Sequence, residues 1–115
     1  LLLPTSVFTT PALSQVGMTE TMAAASGRPY EVKRLQTVAI PKAKVLGETH
    51  GLLKAIVETE TGLILGATLF CPEAHELINL LKLAMDHQIP AEALRTQIFT
   101  HPTIAEALND LFAPN

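Results

Sequence analysis

Apolar positions along the chain recur with two different periods. Leu52 to Glu58 and Leu63 to Phe70 are rich in β-branched and aliphatic residues, and they flank the polar stretch Thr59-Glu60-Thr61-Gly62. Two such runs around a short turn closed by glycine predict an antiparallel hairpin. Gly66 inside the second run predicts a bulge or the close approach of another backbone. Tyr30 to Val38 alternates as a half-buried strand does, with Pro41 as its limit. Val7-Phe8-Thr9-Thr10 is a further short β-prone run, stopped by Pro11.

Helical spacing takes over elsewhere. Thr19 is a good N-cap, Glu20 places negative charge in the first turn, and Met22 to Ala25 lead to a stop at Gly27. From Pro72, suited to the first helical position, to His87, the residues Leu77, Ile78, Leu81 and Met85 share one face. Leu80, Leu83 and Ala84 widen that face, so this helix is expected to pack on more than one side. Pro90 opens a short helix through Leu94. Thr103 starts a last one, with Ala105, Leu108, Leu111 and Phe112 inward. The order strand, helix, three strands, helices predicts an α+β fold, an antiparallel sheet covered on one face by helices. No repeat, low-complexity tract or linker interrupts it, so residues 1–115 read as a single domain.

Composition narrows the function. Apolar residues make up 48% of the chain and charged residues only 17%, with a mean hydropathy of +0.30. A small domain has too much surface to hide that excess, and burial in an interface is a natural destination for it. The net charge of −3 with no basic run argues against nucleic acid and against an anionic membrane surface. No apolar stretch reaches the roughly 18 residues needed to span a bilayer. Leu1-Leu2-Leu3-Pro4 lacks the basic start of a signal peptide and reads as a strand or linker continuing from something upstream, as does the missing initiator methionine. Cys71 is the only cysteine, which excludes an intrachain disulfide. It is expected to be a small buried hydrophobe, and the expected location is cytoplasmic.

The chemistry is concentrated near the end, in His101-Pro102-Thr103-Ile104-Ala105-Glu106. A histidine with a nearby carboxylate is the usual arrangement of a tuned proton acceptor. Two plainer readings stand beside it. His101 is also what a turn histidine before a proline looks like. Thr103 and Glu106 also form the pattern of a helix capping box, which occupies the glutamate without the histidine. A carboxylate has enough acceptor sites for both roles. His75-Glu76-Leu77-Ile78-Asn79 approaches the HExxH zinc pattern but puts Asn79 where the second histidine belongs, so no metal site is expected. His50 and His87 read as surface residues. No Gly-rich phosphate loop, cysteine pair or second acidic cluster completes an active site around His101.

Several stretches in order resemble one family. Phe8-Thr9-Thr10-Pro11 with Val16-Gly17-Met18-Thr19-Glu20, then Gly51 to Lys54, Ile64-Leu65-Gly66 and Ala74-His75-Glu76-Leu77-Ile78, and finally His101-Pro102-Thr103 with Glu106, are similar to the C-terminal dimerisation domain of the pyridine nucleotide-disulfide oxidoreductases. The resemblance implies a two-fold homodimer and a parent flavoprotein with FAD and NAD(P)H. The FAD and NAD(P) domains would lie upstream and need about 300 residues. It implies that His101 is the acid/base for a redox dithiol of the partner subunit, that Glu106 orients it, and that His101 and Pro102 lie against the partner's FAD. The chain alone would then be inactive and bind no cofactor. Ala12 stands where the family often has an acid, and the tail 111–115 carries no cysteine, unlike members with a C-terminal redox pair. Gln97 to Thr100 and Leu108 to Phe112 look most like the bacterial mercuric-reductase-like group linked to reactive-chlorine resistance. The competing reading is a stand-alone α+β binding or assembly module without redox activity.

Overall fold

The computed structural model describes residues 2–114; Leu1 and Asn115, the outermost residues of the two terminal runs read above, lie outside them. The predicted hairpin is the centre of the fold. β4 (Leu52–Glu58) and β5 (Ile64–Phe70) pair antiparallel, with Leu53 opposite Leu69 and Ala55 opposite Ala67. β1 (Thr5–Val7) and β2 (Leu13–Gly17) extend the sheet beyond β5, and β3 (Tyr30–Gln36) extends it beyond β4. The strand order is β1-β2-β5-β4-β3, antiparallel at every pairing. Both expectations for Gly66 hold. The register shifts between Ile56 and Val57, across from it. A Cβ at Gly66 would also run into the backbone N and carbonyl of Met18.

Two elements depart from the sequence reading. The run Val7–Thr10 supplies only its first residue to β1, and the sequence pattern does not reveal β2. In β2 the residues turned inward are Ser14 and Val16, while Leu13 is 38% exposed. A buried serine and an outward leucine blur the alternation that reveals a strand. Ser14 is satisfied by Ser6, hydroxyl to hydroxyl at 2.7 Å. The second departure follows β3, which ends at Gln36 rather than Val38. A 3-10 turn, Thr37–Ala39, leads into α2 (Pro41–Leu46). Pro41, read as the end of a strand, instead occupies the first turn of this helix, and Gly47 closes it at φ 73°. Thr37 is fully buried and its hydroxyl donates to the Phe70 carbonyl at 3.3 Å. Thr37→Val is therefore expected to cost about 1 kcal/mol, read as a lower urea midpoint at unchanged slope.

Helices cover one face of the sheet. α3 (Ala74–Asp86) packs on β2 and β5, burying Ala74, Leu77, Ile78, Leu81 and Ala84. It begins two residues later than the proline suggested, because Glu73 adopts a left-handed φ of 57° and leaves Pro72 in the preceding turn. Leu83 on its flank is 52% exposed, so the second packing side expected of this helix is not filled by the described residues. α4 (Ala91–Thr96) and α5 (Ala107–Leu111) pack on each other, and α5 also reaches β3 and β4. The core lies between these helices and the inward row of Val16, Leu53, Ala55, Ala67 and Leu69. Lys33 shares that side of the sheet. It is 7% exposed, and its ammonium donates to the Ala113 carbonyl at 3.0 Å and lies 3.4 Å from Glu31, which ties the chain beyond α5 to β3. The opposite face carries Leu13, Leu52, Lys54, Thr68 and Phe70. α1 (Glu20–Ser26) reaches it through Glu20, which pairs with Lys54 at 2.7 Å and Arg34 at 3.1 Å. None of the described helices is long and apolar enough to cross a membrane.

Candidate active site

His101 lies in the segment between α4 and α5. Gln97 takes extended angles after α4, and residues 98–103 belong to no helix or strand. Phe99 packs against the core, whereas Ile98 on the same loop is 91% exposed. The His101 side chain is 68% exposed and that of Glu106 21%. Regular helix begins only at Ala107, later than the Thr103 start expected from sequence. The residues between form tight turns instead, with Ala107 N–H donating to the Ile104 carbonyl and Leu108 N–H to that of Ala105.

Glu106 serves both of its possible partners. The Thr103 N–H donates to its Oε2 at 2.8 Å, and its own N–H donates to the Thr103 hydroxyl at 3.3 Å. That reciprocal pair is a capping box in its hydrogen bonds, although the regular helix starts later. The same carboxylate meets His101 Nδ1, at 2.8 Å through Oε1 and 3.0 Å through Oε2. The His101 hydrogen bond first, and the Thr103 N–H second, hold the Glu106 carboxyl below its ordinary value of 4.5. An ionised carboxylate only accepts, so Nδ1 is a protonated nitrogen, and in the neutral ring the lone pair is left on Nε2. The arrangement is chemically that of an oriented base.

A stability signature follows from the sign of that shift. A lowered carboxyl stabilises the fold fully above its unfolded value of about 4.5, and the contribution disappears as pH falls through the lowered value. Glu106→Gln keeps an acceptor for Thr103 but removes the charge. Thermal melting of the two proteins across pH is expected to show the original above the variant near neutrality. The gap should close as pH falls through that lowered value.

The remaining candidates are placed elsewhere. Cys71 is fully buried, and burial, followed by the charge of Glu73, pushes its thiol up to about 12, as suits an inert hydrophobe. His75 lies against Phe8, with ring centroids 5.2 Å apart and the rings tilted by 59°, and its Nδ1 is buried with no hydrogen-bond partner among the described residues. Asn79 donates to the His75 carbonyl at 3.3 Å. His50 and His87 are exposed. Among the described residues no three His, Cys, Asp or Glu side chains are grouped to hold a metal. A hollow of about 520 Å³ is lined by Leu2, Gly17, Met18, Met22, Ile64 and Met85 among others, and neither His101 nor Glu106 belongs to it. One residue escaped the sequence reading. Asn109 of α5 donates through its side chain to the carbonyls of Leu94, Arg95 and Gln97. Its only signal in the sequence is a polar amide three places after Glu106 in an apolar helix.

Residues 3–112 match the family model described as the pyridine nucleotide-disulphide oxidoreductase, dimerisation domain. The chain belongs to this family. It is 53% identical, over 96% of its length, to a probable pyridine nucleotide-disulfide oxidoreductase, RclA, of Escherichia coli strain K12. A dihydrolipoyl dehydrogenase of Pseudomonas putida is 37% identical over 93% of the chain. The solved structure of the HOCl-induced flavoprotein disulfide reductase RclA from Escherichia coli superposes with a TM-score of 0.95 at 52% identity, over 96% of this chain and 26% of that one. The likeness to the reactive-chlorine group expected from sequence is met by this relative. The chain spans 25% of the curated Escherichia coli relative and 23% of the Pseudomonas one. An oxidoreductase dimerisation domain with a five-stranded antiparallel sheet is thus established, and its relatives are flavoproteins and dehydrogenases.

Proposed function

We propose that this chain is the dimerisation unit of a homodimeric flavoprotein oxidoreductase that uses FAD and NAD(P)H, and that it lends His101 to the partner subunit as the acid/base for a redox thiol. The observation that carries this reading is an oriented base on an exposed loop. Glu106 fixes Nδ1–H, Nε2 is left as acceptor, and the ring is largely exposed on a projecting loop. A base so placed acts on something supplied from outside the chain, and the relatives are about four times as long. Its task is a proton transfer. A thiol gives its proton to Nε2, which leaves a nucleophilic thiolate and an imidazolium held by Glu106. The reverse transfer protonates the leaving sulfur when a disulfide is reduced.

The flavin, when bound, relays electrons between the nicotinamide and the dithiol. The fit of this chain to it is limited to one edge. His101 and Pro102 are exposed, and the His101 backbone N–H and carbonyl have no hydrogen-bond partner among the described residues. That turn is free to lie against a ring system of the partner subunit. No phosphate-cradling loop is present, so the nucleotide portions of FAD and NAD(P)H belong to FAD and NAD(P) domains upstream in the same polypeptide. The testing experiment is rapid-mixing kinetics on full-length His101→Gln, which separates flavin reduction by NAD(P)H from disulfide turnover.

A further inference from the structure

The loop that presents His101 has little backbone holding it. Among the described residues, 98–103 make no backbone-to-backbone hydrogen bond. Side chains do the holding. Asn109 Nδ2 lies 3.0 Å from the Leu94 carbonyl, 3.0 Å from that of Arg95 and 2.9 Å from that of Gln97. Two amide hydrogens serve three acceptors, so one is shared, and three surrounding carbonyls leave no doubt which end of the amide is nitrogen. Leu94 and Arg95 carry carbonyls from the last turn of α4, which have no partner within that helix, and Gln97 opens the loop.

Asn109 stands three residues after Glu106, one turn along, and its backbone N–H donates to the Glu106 carbonyl at 3.1 Å. A single turn of chain therefore grips both ends of segment 97–101. Asn109 holds Gln97, and Glu106 holds His101. Between them, Phe99 is packed on the core and the Thr103 hydroxyl donates to the Thr100 carbonyl at 2.7 Å.

We propose that Asn109 is a positioning residue for the base. By fixing the start of the loop to α5, it sets the distance from His101 to Glu106 and hence the direction of Nε2. The proposal rests on His101 acting as the base. The competing role for Asn109 is to cap α4 and nothing more, which would affect stability alone.

The test uses the full-length reductase with Asn109→Ala and Asn109→Asp. Aspartate has the same shape but turns acceptors toward three carbonyls, so it should be the worse of the two. Two readouts are taken. The first is the His101 Nδ1–H signal in histidine-labelled protein, assigned by its loss in His101→Gln. The second is kcat and KM for disulfide turnover. Asn109→Ala is expected to speed exchange of that proton with water and to lower kcat about 10-fold, with KM nearly unchanged, as loss of orientation predicts. Asn109→Ser, which keeps one short donor, carries the same readouts if the alanine variant does not fold. A lowered melting temperature with kcat and the Nδ1–H signal unchanged would overturn the proposal and leave a simple cap. Normal turnover in His101→Gln would instead overturn the base reading, and the Nδ1–H signal would still decide whether Asn109 positions the ring.

Discussion

On the proposed role of His101, His101→Gln in the full-length protein is expected to lower disulfide turnover by about 10³-fold, within the range that a positioned acid/base contributes. Glutamine fills similar space and can still hydrogen-bond to Glu106, but it takes no proton at neutral pH. The fault should therefore fall on one half of the reaction. Flavin reduction by NAD(P)H needs no proton on this side chain and should proceed at its usual rate. The thiolate, once formed, would lack its counter-charge, and the sulfur that departs when a disulfide is reduced would lack its proton donor. Mixed dimers sharpen the result. A His101→Gln subunit paired with a subunit lacking the dithiol should recover one working site, because base and thiol then come from different chains. Turnover within about threefold of the unmodified enzyme would remove His101 from the mechanism. Activity lost from the flavin half-reaction as well would point to misfolding or a lost cofactor.

Gly66→Ala is expected to destabilise the fold by about 4 kcal/mol, or to prevent folding, as an overpacked core position does. The cause is specific. A methyl group at Gly66 runs into the main chain of Met18, and main chain cannot rotate aside as a side chain can. Met18 is itself fixed there, since its N–H donates to the Leu65 carbonyl at 3.0 Å. Gly27→Ala is the matched control. Gly27 sits at φ 75° with nothing within 4 Å of its would-be methyl. It should lose only the left-handed strain of about 1 kcal/mol. Urea unfolding of both variants separates a clash from a backbone preference. Equal losses in the two would mean that Met18 moves freely, and that β2 is not locked to β5 as described.

How much of this was legible beforehand depended on whether one period controlled a segment. β4, β5 and α3 are long enough, and apolar enough on one side, that alternation or helical spacing revealed them. β2 was hidden because Ser14 faces the core and Leu13 faces out, a reversal that only the Ser6 partner makes affordable. α2 has six residues, too few to show a period, and only the Pro41 and Gly47 punctuation marks it. At the site, the choice between a cap and a base partner for Glu106 was left open by spacing, and the geometry shows one carboxylate bonded to both. Asn109 was beyond reach for a different reason. Its role depends on carbonyls 12 to 15 residues away, brought beside it by the packing of α4 on α5.

The double engagement of Glu106 bears on how this position drifts over generations. On the proposed role of His101, the position serves two ends, and the two are separable. A descendant that lost the histidine at 101 would still need an acceptor for the Thr103 N–H, so a glutamate or glutamine would serve there as an ordinary cap. A glutamate at 106 is thus no witness to a working base when met alone. Only the joint presence of His101 and Glu106 carries that information, and a lineage abandoning thiol chemistry would show it first at 101.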